Sequence, residues 1–168
     1  MKETIRRNYL EIKSINALTE SITPEIECLI TILKPDDFQI NKFFYKNVGK
    51  KHRWTDRLTW SDRDWIKYST DSKVKTYILK VKGELAGYFE LILHLDLKEI
   101  EIAYLGLLEE YHNKKIGGYL LSTAIKKSFE EKNMQRVWVH TCTLDHKNAL
   151  KNYLARGMKI YKNETIQI

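Results

Sequence analysis

The sequence predicts an α/β (α+β) domain: a mixed, mostly antiparallel sheet of six to seven strands flanked by about four helices. Three observations carry this. Residues 77–81 and 85–93 are β-rich runs joined by Lys82, Gly83 and Glu84, the pattern of a tight antiparallel hairpin. In residues 99–131, apolar alternation gives way to apolar residues at helical spacing (Ile116, Leu120, Leu121, Ala124, Ile125, Phe129), as in a buried strand, a short loop and a helix. Further on, residues 136–141, 146–156, 158–161 and 165–168 read as a strand, a helix and strands that close the sheet.

In chain order, residues 9–13 read as a short strand and 25–33 (EIECLITIL) as a more convincing one. Pro35, Asp36 and Asp37 open a helix to about Val48, with Phe38, Phe43, Phe44 and Val48 on one side and Gly49 as its stop. Ser61 to Asp64 has the form of a capping box, with Asp in place of Glu, so a short helix runs through Tyr68. Between these helices Trp54 and Trp60, followed by Trp65, fall within twelve residues. Such rings either plug one end of the core or wall a substrate pocket, with Arg57 or Asp56 as a polar contact. After the hairpin, a turn at 94–98 leads into the strand 99–108, and a polar, Gly-containing turn follows at 109–118. The helix 146–156 puts Ala149, Leu150, Tyr153 and Leu154 on one face, with Gly157 at its C′ position.

Residues 1–168 form one domain large enough for its own core. Hydrophobic content of 43% and charged content of 30% are those of a soluble globular protein. No apolar run approaches the ~20 residues of a membrane-spanning helix, and the N-terminal residues lack the ~7–15-residue apolar region of a secretory signal. Cys28 and Cys142, far apart and without a CxxC, read as reduced thiols, which gives a cytoplasmic location as the expectation. The net charge of +7 admits an anionic partner. The lysines are spread out, however, with Lys50 to Arg53 the densest run, so a solvated basic surface is expected rather than a nucleic-acid partner. His52, His94, His112, His140 and His146 show no metal-ligand spacing, so no metal is expected. No G-x-S-x-G supports a hydrolase.

A strand-to-helix turn points free N–H groups and the positive end of a helix at an anion. Lys114, Lys115, Gly117 and Gly118 stand at such a turn, which suits a phosphorylated ligand, although a Gly pair there is also ordinary turn chemistry. The pattern is neither a P-loop nor G-x-G-x-x-G. Tyr111 to Leu121 resembles the acetyl-CoA pyrophosphate loop of the GCN5-related N-acetyltransferase (GNAT) superfamily, Q/R-x-x-G-x-G/A between a strand and a helix. His112 stands where Gln or Arg is usual, Lys115 where the first Gly is usual, and Gly117 matches. Asn148 to Met158 resembles the family's second landmark, A-x-x-x-Y-x-x-x-G-F, with Ala149, Tyr153 and Gly157 in place and Met158 for Phe. Residues 54–58, 87–91 and 136–146 are similar to a bacterial subgroup of unassigned substrate, so the likeness runs over about residues 36–161.

The resemblance implies the GNAT fold, splayed between the family's fourth and fifth strands (here 99–108 and 136–141) by a bulge near Leu105 to Leu107. It implies an acetyl-CoA-dependent N-acetyltransferase, an acyltransferase that acts by direct transfer on a primary amine of a small molecule or a protein. His112, Asn113, Lys114, Lys115, Ile116, Gly117 and Gly118, with Asn148, would hold the cofactor, mostly through main chain. Leu105 and Leu107 would pair with the pantetheine arm, the Leu107 N–H meeting the thioester carbonyl, and Tyr153 would be the general acid. Glu101 is the first choice as general base or amine anchor, with Glu99 on the same strand parity and Glu90 on the neighbouring strand as rivals. Trp54, Arg57, Trp60, Glu90 and Tyr104 are expected at the acceptor pocket. Homodimers are common in the family. Two other readings stay open. One is a GNAT-fold module that binds CoA or acyl-CoA without catalysis, suggested by the departures at His112 and Lys115. The other is a basic nucleic-acid-binding domain, for which no motif is present.

Overall fold

The central hairpin follows from its turn. Lys82 and Gly83 both take positive φ (49° and 81°), giving the two-residue loop whose twist matches that of its strands. It joins β3 (Val74–Val81) to β4 (Glu84–His94). The computed structural model describes residues 2–168. A left-handed Lys98 turns the chain into β5 (Glu99–Leu107), antiparallel to β4, while β2 (Cys28–Ile32) flanks β3 and is shorter than the predicted 25–33.

α1 (Phe38–Gly49) starts at Asp37, whose side chain accepts from the N–H of Gln39. α2 (Asp62–Ser69) starts with the predicted capping box, Ser61 and Asp64 each bonding the other's backbone N–H. The inner face of α1 is Asn41, Phe44, Tyr45 and Val48, and Phe43, expected inward, is on the outer side. α3 (Gly117–Glu130) buries Leu120, Leu121, Ala124 and Ile125. β6 (Arg136–Cys142), α4 (Ala149–Ala155) and β7 (Lys159–Gln167) complete the chain. α4 begins three residues later than predicted, because the Nδ1 of His146 accepts from the N–H of Asn148 in a turn before it. Gly157 has φ 100°, as its C′ position requires.

The two closing stretches are one continuous β7, and the first strand is longer than residues 9–13. β1 (Thr4–Ile12) lies between β6 and β7, in a seven-stranded sheet of order β2-β3-β4-β5-β6-β1-β7. α3 and α4 cover one face over Leu10, Leu79, Phe89, Leu91, Ile100 and Val137. α1 covers the other through Phe44 and Val48, with Phe44 stacked on Tyr88 at 4.8 Å. α1 and α2 pack on β3, β4 and β5. On the continuation of that face, Trp138, His140 and Cys142 of β6 stand beside Glu11, Tyr9 and Arg7 of β1, all partly or fully exposed.

The sheet is open at its middle. β5 and β6 are parallel and pair only from Glu99 with Arg136 to Glu101 with Trp138. Just beyond, Glu90 opposes Tyr104 while Leu91 opposes Ile102, so Ala103 is an extra residue on β5. This bulge bends β5 away from β6. It lies at Ala103 rather than at the predicted Leu105 to Leu107. No helix among the described residues is long and apolar enough to cross a membrane.

Candidate active site

The splay leaves a wedge with an unused main-chain edge. The N–H of Leu108 donates to the Ala86 carbonyl at 2.8 Å. Alternation along β5 then turns the N–H groups of Gly106 and Tyr104 toward β4, and those of Leu105 and Leu107 into the wedge. The Leu107 carbonyl points the same way and accepts from Nε2 of His112 at 3.1 Å. A cleft of about 1100 Å³ fills the wedge and connects the start of α3 with the open sheet face.

At the start of α3, Ile116 is the N-cap and supplies no side-chain cap. The first helical bond runs from the Leu120 N–H to the Ile116 carbonyl, so the N–H groups of Gly117, Gly118 and Tyr119 have no partner within the helix. Asn113 and Lys115 take φ of 61° and 60°. That region is open to Asn at little strain, and to Lys at about 1–2 kcal/mol relative to a right-handed conformation. Lys115 is therefore not in a Gly-only conformation. Gly118 is different: a Cβ there would lie 2.2 Å from Nη1 of Arg156 and 2.5 Å from Oγ of Ser21. Asn152 of α4 donates through Nδ2 to the Gly117 carbonyl at 3.1 Å, tying the two helices together next to Tyr153. Leu105, Leu107, His112, Asn113, Lys115, Ile116, Gly117, Gly118 and Asn148 all line the cleft, whereas the exposed Lys114 is not part of its lining.

Tyr153 projects from α4 into the same cleft with 7% of its surface exposed. Burial, and then the charge of Asp145, push its hydroxyl well above the usual tyrosine range. Asp145 is itself fixed by the Thr141 hydroxyl (2.5 Å) and the Cys142 N–H (3.0 Å). Across the wedge, Glu101 lines the cleft and its Oε1 lies 3.0 Å from Nε2 of His94. Glu99 is engaged by Nη1 of Arg136 at 3.0 Å.

Glu90 does not reach the cleft, which corrects its place among the candidate bases and acceptor contacts. It is fully buried beneath α1, where its carboxylate accepts from Arg57 Nη1 (2.9 Å), the Tyr68 hydroxyl (2.7 Å) and Asn41 Nδ2 (2.8 Å). Burial and this carboxylate drive the Tyr68 hydroxyl far above its ordinary pKa. The Arg57 guanidinium sits over the rings of Tyr68 (4.0 Å), Tyr104 (4.4 Å) and Trp60 (4.7 Å). The tryptophans thus divide: Trp65 is core, Trp54 lines the cleft beside Arg57 and Tyr104, and Trp60 faces a separate recess with Asp64 and Tyr68. Trp60 is accordingly removed from the acceptor wall.

The cleft also gathers residues that sequence spacing did not group. His52, His112, His140 and His146 all line it. The ring of His146 lies 4.9 Å from that of His112 and 6.2 Å from that of His52, whose Nδ1 donates to the Leu144 carbonyl at 3.0 Å. Burial, and then the neighbouring His112 and His52, lower the His146 pKa. Among the described residues, no group of three or more His, Cys, Asp or Glu side chains has metal-binding geometry. Arg7 is a further lining residue that the sequence did not single out.

A model of the acetyltransferase (GNAT) family matches residues 36–158. A search of curated protein sequences finds no significant match. Among solved structures, the chain is similar to a GCN5-related N-acetyltransferase from Sphaerobacter thermophilus, with a TM-score of 0.73 and 13% identity over 99% of this chain and 52% of that one. It is also similar to a GCN5-related N-acetyltransferase from Kribbella flavida, with a TM-score of 0.69 and 13% identity over 96% and 56%. A third likeness is to an aminoglycoside acetyltransferase from an uncultured soil metagenomic sample, with a TM-score of 0.62 and 15% identity over 77% and 86%. The chain spans little more than half the length of the first two, and at such identities the likeness shows the fold.

Proposed function

The chain belongs to the acetyltransferase (GNAT) family, and from that premise we propose that it transfers an acetyl group from acetyl-CoA directly to a primary amine of a small molecule or a protein. The observation that carries this is the uncapped N-terminus of α3 opening onto a wedge edged by the free N–H groups of Leu105 and Leu107. These residues fit acetyl-CoA. The N–H groups of Gly117, Gly118 and Tyr119 and the helix dipole suit a pyrophosphate, and the free edge of β5 suits an amide-bearing arm added as a strand. When bound, acetyl-CoA supplies an activated acyl group on a thiol leaving group. Leu105 replaces Leu107 as the donor to the acyl oxygen, because its N–H is the first free one beyond the bulge and stands nearer Glu101.

The side chains divide the proton transfers. Glu101, oriented by His94, holds the amine and takes a proton from it directly or through water. The N–C bond forms as the C–S bond breaks, and the sulfur receives the Tyr153 proton, which solvent restores. The raised pKa of Tyr153 keeps it protonated over the working pH range, so its proton moves in concert with sulfur departure. A cytoplasmic setting accords with this reading and with two free cysteines. A second reading, a module that binds CoA without catalysis, rests on the departures of His112 and Lys115 from the family's loop pattern.

Thermal unfolding with and without millimolar acetyl-CoA, on the unaltered protein and on Tyr153→Phe, separates these. Ligand at about 100 times its Kd adds ~2.7 kcal/mol, or about 5–10 °C for a chain of this length. Both proteins are expected to shift, and Tyr153→Phe to lose about 10²-fold or more in thiol release with an amine acceptor. A shift with no transfer to any amine supports the module reading, and no shift in either protein refutes both.

A further inference from the structure

The acyl-transfer reading leaves the guest on the open sheet face unnamed, and the ion pairing around the cleft bears on its chemistry. Three guanidinium groups line the cleft. Arg57 is committed to Glu90 at 2.9 Å, and Arg53 pairs with Glu3. Arg7 is held more loosely, by Tyr9 and by one ion pair at the limit of contact. Its nearest carboxylate is Glu164, at 4.0 Å from Nη1, and that carboxylate is already engaged by Lys162 Nζ (2.8 Å) and the Tyr9 hydroxyl (3.2 Å). The Arg7 Nε is buried and, among the described residues, has no hydrogen-bond partner. A buried donor left without a partner is unfavourable unless something fills it.

The register places this cation relative to the proposed amine anchor. Glu101 stands beside Trp138 and Arg7 beside Cys142, so the two lie two strands across and four residues along the sheet. That is about 16 Å between Cα atoms, and long side chains from both enter the same cleft. Asp56 lines the cleft as well. Glu101 therefore lines one part of the acceptor chamber and Arg7, with its unpartnered Nε, another, where Ile5 and Ile166 pair next to it and Asp145 is held at the N–H of the facing Cys142.

Resting on the acetyl-transfer reading, we infer that the acceptor is a dipolar amine: a primary amine that also carries an anionic group, carboxylate or phosphate, seated on Arg7. A guanidinium favours planar, bidentate pairing with such an oxyanion. The same cation repels a polyamine or an aminoglycoside, whose second ammonium would meet it. Specificity of this kind combines an attraction for one class with a repulsion of its neighbour.

The test uses matched six-carbon probes: 6-aminohexanoate, its uncharged amide, and 1,6-diaminohexane. Calorimetry on the full chain, with and without CoA, reads binding whether or not transfer occurs, and thiol release with acetyl-CoA reads KM. On the unaltered protein, 6-aminohexanoate is expected to bind about 10–100-fold more tightly than the amide, as a charge-assisted pair provides, and the diamine least tightly. Arg7→Gln should collapse the ratio between acid and amide, and Arg7→Lys should restore part of it. Equal binding of acid and amide, or preference for the diamine, overturns the inference on the unaltered protein alone. So does a ratio unmoved by Arg7→Gln in a variant that still unfolds cooperatively. Absence of any acetyl-CoA stabilisation would instead sink the acyl-transfer reading, and the two failures are read on different ligands.

Discussion

Removing Arg57 tests the claim that Glu90 belongs to the folded framework and not to the chemistry. Both side chains are almost wholly buried (7% and 0% exposed), and Glu90 accepts three hydrogen bonds, one of them from Arg57. Arg57→Met keeps most of the stem against Tyr68 and Tyr104 but leaves a buried carboxylate without its counter-charge. Breaking one partner of such a pair is destabilising by about 3–5 kcal/mol, a large share of the ~5–15 kcal/mol that holds a domain together. For a chain of this length, that corresponds to a fall in Tm of about 6–20 °C. The double variant Arg57→Met with Glu90→Gln removes both charges, and the new amide oxygen still accepts from Tyr68. It should therefore lose less than the sum of the two single changes by about 2 kcal/mol or more. Urea unfolding with an unchanged m-value is the assay. A loss below about 1 kcal/mol for Arg57→Met, or strict additivity in the double variant, would refute the reasoning.

Two further outcomes are expected. A Cβ at Gly106 would sit 2.3 Å from Cγ1 of Val48, so Gly106→Ala should cost about 1–3 kcal/mol by overpacking and recover when Val48→Ala is added; no change in Tm would show that α1 does not press on β5 there. Stability should also fall as pH drops from about 7 toward 5. Desolvation in the cleft and the charge of Arg7 lower the His140 pKa below its ordinary 6.5, and burial with His112 and His52 lowers that of His146. The unfolded chain then binds more protons than the folded one below about 6.5, so the stability they contribute is present above that pH and is lost as pH falls through the folded-state values. The exposed Asp64 and Glu109 and the half-buried Glu164 have lowered pKa values and act only further down, below their ordinary 3.8–4.5. Tm against pH for His140→Gln and His146→Gln together should be flatter between 7 and 5; an unaltered slope counts against the assignment.

What the sequence disclosed was local. The capping box at Ser61 and Asp64, the Lys82-Gly83 turn, the helix behind Gly117 and the C′ glycine at 157 each depend on residues within a few positions of one another, and each is found. What escaped it depends on pairing at long range. Glu90, the rival to Glu101 on the neighbouring strand, shares β4 with residues that flank the cleft, but its side chain points under α1, and the bulge at Ala103 sets it opposite Tyr104. The sequence pattern places Asn148 inside the helix 146–156, whereas the turn at His146 delays α4 to Ala149. His52, His112 and His146 come from three loops separated by more than thirty positions each, so no spacing rule groups them. Arg7 reaches the cleft because β1 enters the sheet between β6 and β7, and nothing within β1 announces that neighbour.

The two halves of the cleft respond differently to substitution, because different parts of the chain build them. The half toward α3 presents main-chain N–H groups, so a side chain matters there only through the backbone conformation it permits. His112 and Lys115 depart from the usual loop pattern on these terms: Lys115 holds φ near 60° at a strain of about 1–2 kcal/mol, and His112 moves its ring to the Leu107 carbonyl. At Gly118 a Cβ would have to displace the side chains of Arg156 and Ser21. The half toward the open sheet face is made of side chains from β1, β5, β6 and the segment between α1 and α2. On the proposed reading, one substitution there, at Arg7 or Glu101, changes the charge the guest must carry and leaves the N–H groups of Leu105, Leu107 and α3 where they are. The loop and helix landmarks therefore say little about the acceptor, and the residues proposed to choose it lie on strands the landmarks never touch.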